Sequence, residues 1–341
     1  MNILVVGSGS WGTALSIILG KVHASVTLLC RTPHDAVILN ESHENAKYLP
    51  GIHIPSTVLS TADVEWCVPR ADCIVIAVPS EHLPHSIHML KPYIREDAVI
   101  ASAVKGFEPS TLNTMSQVIA NVLDPQSSGQ IVVLSGPTIA RECAEGLPAA
   151  AVVAGGNAKT VLHIQKMFQG TTLRTYVTDD TAGVEIGGAV KNIIAIAAGI
   201  CDGLEIGDNG KAAIITRGLT EMVRFGMTRA KDPLTFAGLS GLGDCLVTCM
   251  SPHSRNRRLG EAVGSGKSLD DARESLHGMV AEGVLATRAL VEHSGLSRDD
   301  LPITFAVHDV LFAHVPTGQA LEALLQRTAS GELRGIRYTE A

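Results

Sequence analysis

Two kinds of pattern follow each other along the chain. Short apolar runs at "MNILVV", "SVTLLCR", "CIVIAVPS", "AVIASAV" and "IVVLSGP" are separated by longer stretches, and several end in small or turn-forming residues. The stretch after the first run has helical period. That rhythm predicts parallel strands joined by helical crossovers, with ligands gathering where the strands end, at "VPS" (78–80), "VKG" (104–106) and "SGPT" (135–138). From about residue 181 the strand signals nearly vanish and helical patterns dominate, broken at "DGLEIGDNG", "GLSGLGD" and "GSGK". The expected fold is α/β: a Rossmann-type doubly wound sheet over 1–182, followed by an all-α domain over 183–341.

Composition agrees with that layering. A chain of 341 residues, 45% hydrophobic but 4% aromatic and with 33 glycines, favours Val, Ile and Ala in stacked layers over an aromatic-rich β protein. A net charge of -7 offers no general attraction to nucleic acid or an anionic membrane, so any phosphate chemistry needs a local basic pocket. The first apolar run has no basic leader and meets Gly7 at once. The run near residue 190 is interrupted by Glu185 and Lys191, short of the roughly 20 residues a bilayer requires. No integral membrane segment is therefore expected. Seven cysteines without a C-x-x-C pair suit reduced thiols in a cytoplasm.

Three constellations carry candidate chemistry. Gly7, Gly9 and Gly12 form G-x-G-x-x-G between a strand and a helix, where a tight turn, close backbone approach and close helix packing are needed for a dinucleotide. The free N–H groups near Ser10 and Trp11 would hold its pyrophosphate. Arg31, where NAD-specific proteins usually place an acid, leans toward the 2'-phosphate of NADP(H), unless it is a solvated surface arginine. In "GGAVKNIIAIAAGI", Lys191 shares a helical face with Val184, Gly187, Ala195 and Ala198, which clears space for a ligand beside a cation, although a snorkelling lysine would show the same pattern. Lys105 is a second candidate cation at a strand end. "GLSGLGD" sets Asp244 at the end of a flexible loop, and Ser254, Arg255, Asn256, Arg257 and Arg258 form either a phosphate-binding fork or a solvated basic turn. His82, His85 and His88 drift by about 60° per step on a helix and cannot close on one metal, so no metal is expected.

The segments "GSGSWGTAL", "YLPGIHIP", "AVPS", "VKGFE", "SGPTIARE", "GGAVKNIIAIAAGICDG", "KAAIITRGLTEM", "AGLSGLGD" and "SRNRRLG" closely resemble the bacterial NAD(P)-dependent glycerol-3-phosphate dehydrogenase family in order and spacing. The resemblance implies reversible reduction of dihydroxyacetone phosphate to sn-glycerol 3-phosphate for phospholipid synthesis, with a helical domain of the 6-phosphogluconate dehydrogenase kind. It places NADPH or NADH on Ser10, Trp11, Arg31, Lys105, Ala140, Arg255, Val280 and Glu282. Substrate falls on Lys105, Gly136, Thr138, Lys191, Asp244, Ser254, Arg255 and Asn256, with Lys191 as proton donor and acceptor. On this reading Asn192 and Asp244 orient the ammonium group, and Arg255 and Asn256 anchor the phosphate. Ser8 and Ile139 depart mildly from the family pattern. Cytoplasmic action and a homodimer are compatible with it. The alternatives are a related two-domain dehydrogenase for a 3-hydroxy acid or phosphosugar, and a non-catalytic sensor of the NADP redox state.

Overall fold

The computed structural model describes residues 1–123, 130–276 and 278–327. The strands are β1 (Ile3–Val6), β2 (Val26–Leu29), β3 (Glu44–Asn45), β4 (Leu49–His53), β5 (Val58–Thr61), β6 (Cys73–Ile76), β7 (Val99–Ser102), β8 (Ile131–Ser135), β9 (Ala149–Ala154) and β10 (Leu173–Thr178). Among and just beyond them run α1 (Ser10–Gly20), α2 (Pro33–Ser42), α3 (Val64–Cys67), α4 (Leu83–Leu90), α5 (Met115–Val122), α6 (Ala140–Glu145), α7 (Ala158–Met167) and α8 (Thr181–Gly203). The rest is helical: α9 (Gly207–Gly226), α10 (Asp244–Met250), α11 (Arg255–Gly264), α12 (Leu269–Glu274), α13 (Glu282–His293), α14 (Pro302–Phe312) and α15 (Thr317–Leu325).

Eight strands form one sheet in the order β10-β9-β8-β7-β6-β1-β2-β5. Its pairings are parallel except β8 with β9, which is antiparallel. From the centre, β1, β2 and β5 lead one way and β6, β7 and β8 the other, so the order reverses between β1 and β6, where a doubly wound sheet opens a crevice. Both faces are covered: along β1, Ile3 and Val5 join one apolar core while Leu4 and Val6 join another. The expected Rossmann-type sheet and helical second half are both present. The hairpin of β3 and β4 and the strands β5, β9 and β10 are additions that the apolar runs did not announce.

In the helical half, α8 is the central rod, and α9, α10, α11 and α13 pack around it. Its contact with α11 is made backbone to backbone. A Cβ on Gly199 would lie 2.0 Å from the Arg257 carbonyl oxygen, and one on Gly260 would lie 2.1 Å from that of Ile196. Only hydrogen fits on either side. At 23 residues, α8 is long and apolar enough to cross a membrane, contrary to the expectation that Glu185 and Lys191 cut it short. The most apolar window of the helix is 94% buried inside the protein, so that apolar surface is accounted for by the core.

Two buried carboxylates join α8 to its surroundings. Glu185 accepts from the Ser116 N–H (2.8 Å) and hydroxyl (2.5 Å), tying α8 to the first turn of α5. Asp180 caps α8 through the Gly183 N–H at 3.0 Å, and also accepts from the Lys231 and Asp232 N–H groups and the Thr235 hydroxyl. Desolvation opposes the charge on Asp180, but these four donors outweigh it and hold its carboxyl below the usual carboxylate range.

Asp180→Ala is expected to destabilise the protein by about 2 kcal/mol, since it leaves four donors, one buried and three part-buried, without their acceptor. Because the native carboxyl titrates low, the stabilisation is complete above the ordinary aspartate range and is lost as pH falls through the depressed value. Denaturant unfolding of wild type and variant should show their difference shrinking in acid. A difference that stays constant with pH would mean that the charge of Asp180 contributes nothing.

Candidate active site

The crevice begins at the end of β1. Gly7 turns the chain at φ 105°, and a Cβ on Gly12 would lie 1.9 Å from the Gly7 carbonyl oxygen, so the turn and α1 touch without side chains. A Cβ on Gly9 would meet nothing within 4 Å. Gly9 supplies no side-chain cap, and the Thr13 N–H donates to its carbonyl at 3.0 Å. The N–H groups of Ser10, Trp11 and Gly12 precede that first helical bond and are left for an anion. The buried Trp11 Nε1 has no hydrogen-bond partner among the described residues. Ala140 opens α6 without a side-chain cap, and Arg31 stands exposed just past β2. Open space, uncapped helix ends and an orphaned donor together fit a dinucleotide.

Across the crevice, one carboxylate joins two cations. Asp244 Oδ1 accepts from Lys191 Nζ at 2.5 Å and Oδ2 accepts from Lys105 Nζ at 2.7 Å. Lys191 also donates to Thr248 Oγ1 at 2.7 Å, and Lys105 to the Gly136 carbonyl at 3.0 Å and Thr138 Oγ1 at 3.4 Å. The side chains of Lys191 and Asp244 are only 7% and 2% exposed. Desolvation pushes the Lys191 pKa down to about 8, with Lys105 adding to the fall and Asp244 opposing it. The snorkelling alternative is thus excluded, because the ammonium group lies inside the protein.

The structure corrects several expectations here. "GLSGLGD" is not a flexible loop: Leu239–Gly243 forms one π-helical turn running straight into α10, with Ser240 and Gly241 buried. Asp244 is therefore held rigidly as the first residue of α10. Asn192 does not hydrogen-bond to the ammonium group. Its Nδ2 donates to the Gly188 carbonyl at 3.3 Å and its Oδ1 accepts from Asn256 Nδ2 at 2.8 Å, while Asn256 Oδ1 accepts from the Gly283 N–H at 2.9 Å. This amide chain links α8, α11 and α13. The residue that does reach Lys191 is Thr248, missed in the sequence although it lies one helical turn after Asp244.

The basic cluster also divides. Arg257 bonds Asp202 and Glu261, and Arg258 reaches the Ser275 carbonyl. Ser254 caps α11 through the Arg257 N–H at 3.2 Å. Arg255 makes no hydrogen bond or ion pair with the described residues, and burial lowers its pKa despite the opposing charge of Glu282. Its planar donor fork, unlike those of Arg257 and Arg258, is left for a ligand. Glu282 accepts from the Ser80 N–H at 3.0 Å and from the Ser80 hydroxyl, joining α13 to the turn after β6. Val280 stands half-buried just before it.

Comparison with known proteins agrees along nearly the whole chain. Models of the NAD-dependent glycerol-3-phosphate dehydrogenase N-terminus and C-terminus match residues 2–161 and 180–322. A glycerol-3-phosphate dehydrogenase [NAD(P)+] of Chlorobium phaeobacteroides is 44% identical over 98% of this chain and 99% of its own. One from Salinibacter ruber is 45% identical over 97% of both. The crystal structure of glycerol-3-phosphate dehydrogenase from Coxiella burnetii superposes with a TM-score of 0.88 at 36% identity, covering 96% of this chain and 99% of that one.

Thr248→Val removes one of the two acceptors of the Lys191 ammonium group, so the charged form loses support. The Lys191 midpoint is expected to fall from about 8 by roughly one pH unit. A titration of Nζ followed by nitrogen-resolved NMR checks this, and an unmoved midpoint would show that Thr248 contributes only packing.

Proposed function

The chain belongs to the NAD-dependent glycerol-3-phosphate dehydrogenase family, and on that premise we propose how its residues divide the work. The reaction is reduction of dihydroxyacetone phosphate to glycerol 3-phosphate with an NAD(P) cofactor. The observation that carries the proposal is the bridge of Asp244 between Lys191 and Lys105 at the mouth of the sheet crevice.

When bound, the dinucleotide supplies a hydride to the ketone carbon. Lys191 handles the other half of the reaction. Two of its three N–H bonds are taken by Asp244 and Thr248, which leaves the third for the carbonyl oxygen. That hydrogen bond stabilises the negative charge building on the oxygen, and transfer of the proton completes the alcohol. In the reverse direction a neutral Lys191 takes the hydroxyl proton. A pKa near 8 suits both directions, because neither proton transfer is steeply uphill near neutral pH.

Lys105 lies 2.7 Å from Asp244 and 3.0 Å from the Gly136 carbonyl, where it steadies the carboxylate and faces the substrate with Thr138. Arg255, without a hydrogen bond or ion pair among the described residues and standing as the first residue of α11, takes the phosphate, with Ser254 beside it. Asn192 and Asn256 shape this end of the cleft by fixing α11 and α13 against α8. The Gly7–Gly12 turn with Ser10 and Trp11 takes the pyrophosphate, and Ala140, Val280 and Glu282 line the cofactor side. Arg31, exposed past β2, favours NADPH through its 2'-phosphate while leaving NADH able to bind. A redox sensor would need no buried proton donor, and a 3-hydroxy acid would need no phosphate fork. Cytoplasmic action is part of the proposal, supported by seven free, buried cysteines. Assembly as a homodimer is supported by Leu246 and Met250, exposed one turn apart on α10.

Lys191→Ala should lower kcat by a factor of about 10² to 10⁴ while leaving dinucleotide affinity nearly intact. In wild type, the reduction rate at saturating substrates should fall as pH rises through about 8, since it needs the ammonium form, and the oxidation rate should rise through the same point. Parallel profiles in the two directions would remove Lys191 from the proton transfer. Arg255→Lys keeps the charge but loses the planar fork, so KM for dihydroxyacetone phosphate should rise roughly tenfold to a hundredfold. Unphosphorylated dihydroxyacetone is the control: if it is slowed by the same factor, Arg255 does not hold the phosphate.

A further inference from the structure

The hairpin of β3 and β4 stands outside the main sheet and packs on α1 and α6. Its buried polar side chain is Asn45, 5% exposed. The amide nitrogen donates to the Ser8 carbonyl at 2.9 Å and to Thr13 Oγ1 at 2.8 Å, and Oδ1 accepts from the Tyr48 N–H at 3.3 Å. Both amide protons are thereby used on the glycine turn and the helix it opens. The hairpin is also held by Arg141 of α6, which donates to the Pro50 carbonyl at 3.0 Å. Glu44 closes the hairpin by accepting from the Gly51 N–H at 2.8 Å.

Ser8 lies between Gly7 and Gly9, and a carbonyl turned toward the end of α1 would repel an anion there. In a trans peptide the carbonyl and the following N–H point in opposite directions. Drawing the Ser8 oxygen onto Asn45 therefore turns the Gly9 N–H to the other side, away from the hairpin. The Thr13 bond fixes the first turn of α1 against the same amide, so that turn and helix keep one relative setting. Glycines alone do not provide this, because their φ and ψ are the least restricted in the chain.

We propose that Asn45 is a positioning residue for the dinucleotide, which sets the Ser8–Gly9 peptide so that the start of α1 presents donors to the pyrophosphate. This rests on the reading of Gly7–Gly12 as the pyrophosphate site. Since that group is common to NADPH and NADH, Asn45 acts on both alike, unlike Arg31.

Asn45→Asp is nearly isosteric and replaces the two donors with an oxygen facing a carbonyl and a hydroxyl. Titration of the protein alone, followed by tryptophan and nicotinamide fluorescence, should give Kd for NADPH and NADH raised by the same factor, about tenfold or more. At saturating cofactor, kcat and KM for dihydroxyacetone phosphate should stay within about twofold of wild type. Asn45→Ser, too short to span both acceptors, is measured beside it. Unchanged Kd in a folded variant overturns the inference. So does a rise in substrate KM proportional to the rise in Kd, or failure of both variants to fold, since either marks a merely structural role. Gly9→Asp tests the underlying reading: there is room for its Cβ, and its carboxylate would enter the pyrophosphate position. Normal NADPH binding by that variant removes the loop reading itself, whereas its loss with unaffected Asn45 variants removes only the role of Asn45.

Discussion

One carboxylate shared by two ammonium groups is the constraint around which the second half of the protein is built. Withdrawing Lys191 and Asp244 from water beside a half-buried Lys105 is costly, and Asp244 offsets the cost only because both oxygens are engaged, at 2.5 and 2.7 Å. The triad keeps a net positive charge. That surplus is what a ketone gaining negative charge needs, and it is sustained where water cannot screen it. The same desolvation that penalises the charge on Lys191 makes its proton easier to release.

Such a triad needs its three members held from separate elements. Lys105 comes from the loop after β7, Lys191 from the middle of α8 and Asp244 from the first residue of α10. The π-turn before α10 is packed so tightly that a Cβ on Gly241 would lie 2.1 Å from the Phe236 carbonyl oxygen. Asp180 fixes the start of α8 to the segment 231–235, just upstream of that turn. Glycines bring α11 onto α8, and the amide pair of Asn192 and Asn256 locks their register. Side chain–side chain bonds such as that of Asn256 to Asn192, and side chain–backbone bonds such as those on Asp180, tie these elements together, so the shell is held without large side chains.

How much of this was legible in the sequence follows from the range of each interaction. Gly7, Gly9 and Gly12 could be read because their roles are local, set by a turn and the helix after it. Lys191 could be suspected because a cation among small residues on one helical face is itself a pattern. Thr248 was invisible, since an exposed or core threonine would look the same until α8 and α10 are brought together. Asn192 misled because adjacency to Lys191 in sequence places it about 100° away on a helix, facing α11. Arg257 and Arg258 lie within three residues of Arg255 but do not share its direction. Asn45 lies in a hairpin with too few apolar residues to announce a strand, and β9 reverses the expected direction of pairing with β8.

Arg31 stands apart from all of this. It is exposed at the far end of the crevice, beyond β2, and among the described residues no hydrogen bond connects it to the shell around Asp244. Its identity can therefore drift among descendants without disturbing proton transfer, phosphate capture or the packing of α8. On the proposed role of Arg31 in holding the 2'-phosphate, changes in coenzyme preference within this lineage should be evolutionarily cheap and reversible, confined to a solvent-facing position. Changes in the chemistry would require several buried positions to change together.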